Sequence, residues 1–137
     1  MDMFSVFDIS SSALQAQRER LNVIASNMAN VHTTKTQEGG PYKRQDVVFR
    51  SLPMDKDPST PFQGVMVSEI VKDKGDPMLV YEPNNPDANA KGYVEMPNIN
   101  VVEEMVDMMM ASRAYEANVS AFNASKGMFQ RTLEIGR

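Results

Sequence analysis

The sequence predicts an α+β protein: long N- and C-terminal helices pair as an α-helical coiled coil, with a small β-rich middle domain between them. Three observations predict it. Helix breakers are confined to the middle, since all eight Pro lie from Pro41 to Pro97 and five of the seven Gly from Gly39 to Gly92. Apolar residues recur every seven positions at both ends, the period of a coiled-coil seam. Between the ends, β-branched runs alternate with Pro, Asn and Asp clusters. A chain of 137 residues is one domain's worth of sequence. It divides into an N-terminal helix segment (1–34), a β-rich middle with long loops (35–97) and a C-terminal helix segment (98–137).

In the first segment Phe7, Leu14, Leu21 and Met28 form one line, and Ile24 and Val31 fall three residues after two of its members. That is an a/d seam, with Ser10 and Gln17 as polar positions near its start. Ser12 to Gln15 reads as a capping box, which would start the helix there. Phe7 lies upstream of it, so a start near Phe4 stands as the alternative. Thr33-Thr34 and then Gly39-Gly40-Pro41 end the segment.

The middle reads as four strands: Tyr42–Phe49, Gly64–Asp73, Pro77–Tyr81 and Gly92–Met96. Asp55–Pro61 and Glu82–Lys91 have loop compositions. In the last segment Asn100-Val101-Val102-Glu103 reads as an Asn/Glu capping box after Pro97. Val101, Met108, Tyr115, Phe122 and Phe129 then recur every seven residues, with Met105, Val119 and Leu133 four residues after members of that line. A ladder of alanines from Ala111 to Ala124 permits close approach of a neighbouring helix. Residues 101–135 as one helix would span roughly 50 Å, more than a chain of this size covers by itself.

Composition excludes several functions. There is no Cys, hence no thiolate nucleophile, Cys-ligated metal or disulfide. His32 is the one histidine, which removes multi-His metal sites. Lys+Arg 14 against Asp+Glu 18 gives a net charge of −4, which argues against nucleic-acid binding. No apolar run approaches the ~20 residues that cross a bilayer. The N-terminus lacks the basic and long apolar regions of a cleavable secretion signal. By themselves these features predict a cytosolic chain.

The candidate chemistry is thin. Asp87–Gly92 begins like a calcium loop, but Lys91 and Asn98 stand where ligands are needed, so it reads as a turn cluster. Glu103, Glu104 and Asp107 read as a solvated first turn that suits the helix dipole. His32 reads as a turn residue. Tyr42, Lys43 and Arg44 read as exposed strand decoration. No phosphate-binding glycine motif occurs. The sequence therefore predicts no catalytic, metal or cofactor-binding residue and no small-molecule substrate. The cluster Met105, Met108, Met109 and Met110 reads either as core or as an adaptable face for several neighbours, and the two are compatible. Two apolar seams then ask for each other and for further subunits, in an open helical tube if contacts run head to tail.

The stretch Ser11–Thr33 resembles the N-terminal signature of the flagellar basal-body rod proteins, Asn-apolar-Ala-Asn-x-x-Thr, here Asn27, Met28, Ala29, Asn30 and Thr33. Leu79-Val80-Tyr81-Glu82-Pro83, Gly92–Asn98 and Ala111–Val119 are similar to the proximal rod members of that family. The resemblance implies a structural subunit exported by the flagellar type III apparatus without a cleaved signal, which replaces the cytosolic expectation. It implies location in the rod across the periplasmic space, and torque transmission without chemistry. The implied partners are other rod proteins, the rod-base adaptor FliE, membrane-ring components and like subunits. Asn27, Asn30 and Thr33 are expected to cap and turn the first helix. Phe4, Val6, Phe7 and Ile9 serve either export recognition or seam packing. A helical type III adaptor or chaperone is the alternative class.

Overall fold

The structure, a computed structural model, describes residues 3–53 and 63–136. Its elements in order are α1 (Met3–Ala29), β1 (Gln45–Pro53), β2 (Gln63–Lys72), β3 (Met78–Tyr81), β4 (Tyr93–Met96) and α2 (Val101–Ile135). The predicted α+β architecture, two terminal helices and a small β region, is present. The Asp55–Pro61 loop expectation lies outside the described residues.

α1 starts at Met3, so of the two predicted starts the upstream one is found. Ser12 is inside the helix and caps nothing. Its hydroxyl donates to the Ile9 carbonyl at 2.7 Å and accepts the Val65 N–H at 3.1 Å. A tertiary partner has taken the lone pair that a capping box would use. At the other end the Asn30 amide donates to the Ser26 carbonyl at 2.9 Å, and the Thr33 hydroxyl donates to Asn30 Oδ1 at 3.1 Å. These short polar side chains satisfy the last turn and lead the chain out of the helix. His32 lies exposed in that turn.

α2 begins where Pro97 and Asn100 predict. Asn100 is extended (φ −88°, ψ 106°), and its side chain accepts the Val102 N–H at 3.1 Å, the N-cap bond. The helix then runs 35 residues, about 52 Å, against 27 residues and about 40 Å for α1.

The helices are antiparallel. The Phe7 and Phe122 rings meet edge to face at 5.1 Å, Leu14 and Tyr115 line one cleft, Arg20 stands 3.6 Å from Asp107, and Asn27 bonds Glu104 at 3.0 Å. At that offset Met3 falls opposite about residue 126, so roughly nine residues of α2, about 13 Å, run past the start of α1.

β1 and β2 form an antiparallel ribbon, Gln45 opposite Lys72 and Pro53 opposite Gln63, with a bulge between Val48 and Phe49. Its base meets α1 at Asn27 and its far end meets α1 at Ser12. Fifteen helical residues rise about 22 Å, and the six strand residues from Gln45 to Ser51, which faces Val65, rise about 20 Å. The ribbon therefore lies along the helix. α1 is the central layer, with the ribbon and α2 both packed on it, whereas among the described elements α2 packs against α1 alone. Burial follows this layering: Ala16, Val23, Ile24 and Asn27 of α1 are buried, but in α2 only Glu104 and Ala111.

The first strand begins three residues later than predicted because Tyr42 is tied to the turn after α1, and only Arg44 extends the pairing toward β2. The Tyr42 N–H bonds the Thr33 carbonyl, and the Arg44 carbonyl accepts from Asp73. β3 and β4 form a second two-stranded sheet, closed by an edge-to-face Tyr81–Tyr93 pair at 5.3 Å. The connecting loop is the predicted turn cluster, in which Asn89 Oδ1 accepts the backbone N–H groups of Lys91 and Tyr93. Asp87, bonded by Thr34 and Lys35, ties that loop to the end of α1.

Candidate assembly interface

The structure sorts the seam residues of the sequence into three groups. Phe7, Leu14, Leu21, Met28 and Val31 are half-buried and Ile24 is buried. On α2, Met108, Tyr115, Val119, Phe122 and Phe129 are half-buried. Val101, Met105 and Leu133 are exposed. Met105 follows Glu104 by one residue and so points about 100° away from the α1-facing side. Leu133 lies on the α1-facing side but past the start of α1, where no described residue of another element stands opposite.

A second apolar surface runs along the outside of α2. Val102, Met105, Val106, Met109 and Met110 follow the i, i+3, i+4, i+7, i+8 pattern of a single helix face. All five are exposed, from 44% for Val106 to 68% for Val102. By helical geometry the centre of this stripe lies opposite Glu104 and Ala111, the side buried on α1. Met128 and Ile135 continue the apolar character toward the overhanging end. The methionine cluster is thus divided: Met108 turns inward, and Met105, Met109 and Met110 turn out. Of these two opposite apolar sides, the described residues cover one.

Between the helices and the ribbon lies a polar cluster. Glu104 is fully buried. One of its oxygens accepts from Arg44 Nε at 2.6 Å, the other from Asn27 Nδ2 at 3.0 Å. Asn27, also buried, uses its amide as a strand residue would: Nδ2 donates to the Gln45 carbonyl at 2.8 Å and Oδ1 accepts the Gln45 N–H at 2.9 Å. The Tyr42 hydroxyl donates to the same Oδ1 at 3.1 Å. Burial disfavours the Arg44 charge, but the bond to Glu104 and the nearby Glu104, Asp46 and Asp107 charges outweigh it and raise the guanidinium pKa further.

Two sequence expectations are corrected here. Glu104 is not in a solvated turn, although Glu103 beside it is exposed, because Glu104 alone of the pair faces α1. Arg44 is not surface decoration, because it supplies the charge that a buried carboxylate requires. Asn27 does more than turn the helix, while Asn30 and Thr33 make the local bonds expected of them. Only Asn27 had a prior signal, as part of the motif.

Among the described residues no group of three His, Cys, Asp or Glu is placed to hold a metal ion, and no helix is long and apolar enough to cross a membrane. An open cleft of about 270 Å³ at the ribbon base is lined by Thr36, Glu38 and Lys72 and reaches Tyr42 and Gln45 at the edge of the cluster, but contains none of His32, Asn27, Arg44 and Glu104.

Comparison with known proteins places this geometry. Residues 7–35 match the family described as flagella basal body rod protein, and residues 90–135 match the C-terminal family of the flagellar basal body rod FlgEFG proteins. Those two spans hold residues 7–29 of α1 and all of α2 with its N-cap Asn100. The chain is 48% identical to the flagellar basal-body rod protein FlgC of Borreliella burgdorferi, with 98% of each chain covered. It is 46% identical to that of Escherichia coli O6:H1 and 43% identical to that of Bacillus subtilis, each over the whole of both chains. The chain belongs to the flagellar basal-body rod protein family, in its FlgC group.

Proposed function

We propose that this chain is a structural subunit of the bacterial flagellar basal body. In this reading it is exported by the flagellar type III apparatus and joins a helical, tubular drive shaft, the rod in the periplasmic space, that transmits torque. Residues 1–34 and 98–137 form its inner helical part and 35–97 its outer part. Its neighbours are like subunits, other rod proteins, the rod-base adaptor FliE and the membrane ring. It performs no catalysis.

The outer face of α2 carries this reading. Five exposed Val and Met side chains in one stripe represent on the order of 5 kcal/mol of burial not realised within the chain. Contiguous apolar surface of this kind marks a protein contact. Methionines suit a face that meets non-identical neighbours, because their flexible side chains repack. Shear along such a contact is resisted because many interdigitated side chains must unpack together.

Met109→Asp tests this. In a flagellated host that has this chain as its only copy, the variant is expected to be exported at normal level yet to leave cells non-motile and without completed rods. Normal swimming would overturn the reading. A stable, fully helical dimer of the parent chain in solution would favour a secretion adaptor instead.

A further inference from the structure

The heptad lines that bring α1 and α2 together do not by themselves choose an alignment. As observed, Phe7 meets Phe122 and Leu14 shares a cleft with Tyr115, which sets Leu21 toward Met108 and Met28 toward Val101. Moving α2 by one heptad, about 10 Å, would set Phe7 against Phe129, Leu14 against Phe122, Leu21 against Tyr115 and Met28 against Met108. Each pair is again apolar on apolar. Because α2 outruns α1, the shifted arrangement still covers all of α1. An apolar seam with a strict repeat and spare length is degenerate, and coiled coils break that degeneracy with an isolated polar group in the core.

The buried carboxylate is such a group. A one-heptad shift puts Ala111 where Glu104 sits. Asn27 Nδ2 and the Arg44 guanidinium would then lose the oxygens they bond at 3.0 and 2.6 Å. Asn27 cannot turn to follow the helix, because its amide is held by both backbone groups of Gln45. Arg44, next in the chain to Gln45, is fixed at the ribbon base, where its carbonyl accepts from Asp73.

We infer that Glu104 is the register pin of the helix pair, read by Asn27 from α1 and Arg44 from the ribbon base. One cluster thereby sets both the axial position of α2 and the seat of the middle domain. This rests on the internal geometry of the chain and stands apart from the role in the rod. A buried ion pair is a weak source of stability, since apolar residues of similar volume commonly replace it without loss. The pin is therefore expected to control alignment more than melting, which separates it from an ordinary stabilising contact.

The chain has no cysteine, so alignment is readable with introduced pairs. Phe7→Cys is combined with either Phe122→Cys or Phe129→Cys in the purified full chain and treated with a short bismaleimide. In the parent background the 122 pair is expected to cross-link at least tenfold more than the 129 pair. In Arg44→Met/Glu104→Met the cooperative melt persists and the preference falls to threefold or less. Glu104→Gln, which keeps an acceptor oxygen in place, retains the parent preference. The proposal fails if the double Met variant keeps the tenfold preference, if it loses its cooperative melt, if the Gln variant slips as far as the Met variant, or if the parent cross-links both pairs equally.

Discussion

The residues that organise this molecule are polar. Asn27 acts as one extra residue of a β ladder, offering a donor and an acceptor to the outward-facing groups of Gln45. An unpaired strand edge invites other chains, and here the start of that edge is closed by a helix side chain. Gln17 is the converse case: its Oε1 is buried and has no hydrogen-bond partner. Leaving such an acceptor unmet costs on the order of 1 kcal/mol. Gln17→Met, which keeps the length of the side chain, is expected to raise stability by about 1 kcal/mol in urea unfolding. At the surface, bonds from Lys35 and Thr34 hold the Asp87 carboxyl below the ordinary aspartate range. A depressed folded-state pKa gives a contribution that is present above the unfolded value and lost as pH falls through the folded one. The link from α1 to the β3–β4 loop should therefore loosen only below about pH 4. Carbon-detected NMR titration of Asp87 checks this, and Lys35→Met is expected to move its midpoint up. None of these three roles could be read from local sequence. The partners of Asn27 lie 15, 18 and 77 residues away, and a buried Glu looks like its exposed neighbour until the helix phase is known.

At the scale of elements, much was legible. Confinement of Pro and Gly to the middle placed both helices, and Asn100 after Pro97 fixed the start of α2. Strand positions held to within a few residues, because β-branched runs bounded by turn residues are a strong local signal. Two features were not legible. Ser12 and Gln15 satisfy a capping pattern, yet the hydroxyl is used by β2, so a tertiary bond overrides the local motif. The methionine cluster read either as core or as an adaptable face, and the heptad count alone put Met105 on the inner side. Met105 falls into a seven-residue count that begins at Val101, but at 3.6 residues per turn it belongs to the outer stripe. The tightest turn follows from one glycine. Gly92 has φ +80°, and a Cβ there would stand 2.9 Å from the Tyr81 ring. Gly92→Ala therefore meets backbone strain and a clash with the Tyr81–Tyr93 pair. It is expected to lower stability by about 1–3 kcal/mol in urea unfolding, with loss of the Tyr81–Tyr93 ring contact in NMR spectra.

At the scale of the whole molecule the layering decides what is complete and what is not. α1 is covered on two sides and supplies more buried residues than any other element, so ribbon, α1 and the facing side of α2 behave as a finished unit. The last stretch of α2 belongs to no such unit. Among the described residues Leu133 and Ile135 are 57% and 86% exposed. A chain cut after Gln130 should accordingly melt within a few degrees of the intact protein, since residues 131–136 are all exposed and a surface change without lost packing is worth about 0.5 kcal/mol or less. In a flagellated host it should nevertheless fail to support swimming, and a motile strain would show that the overhang is idle. Natural variants truncated at this end would thus pass every assay of folding and still be loss-of-function alleles, a class of defect that screens for misfolded protein are blind to.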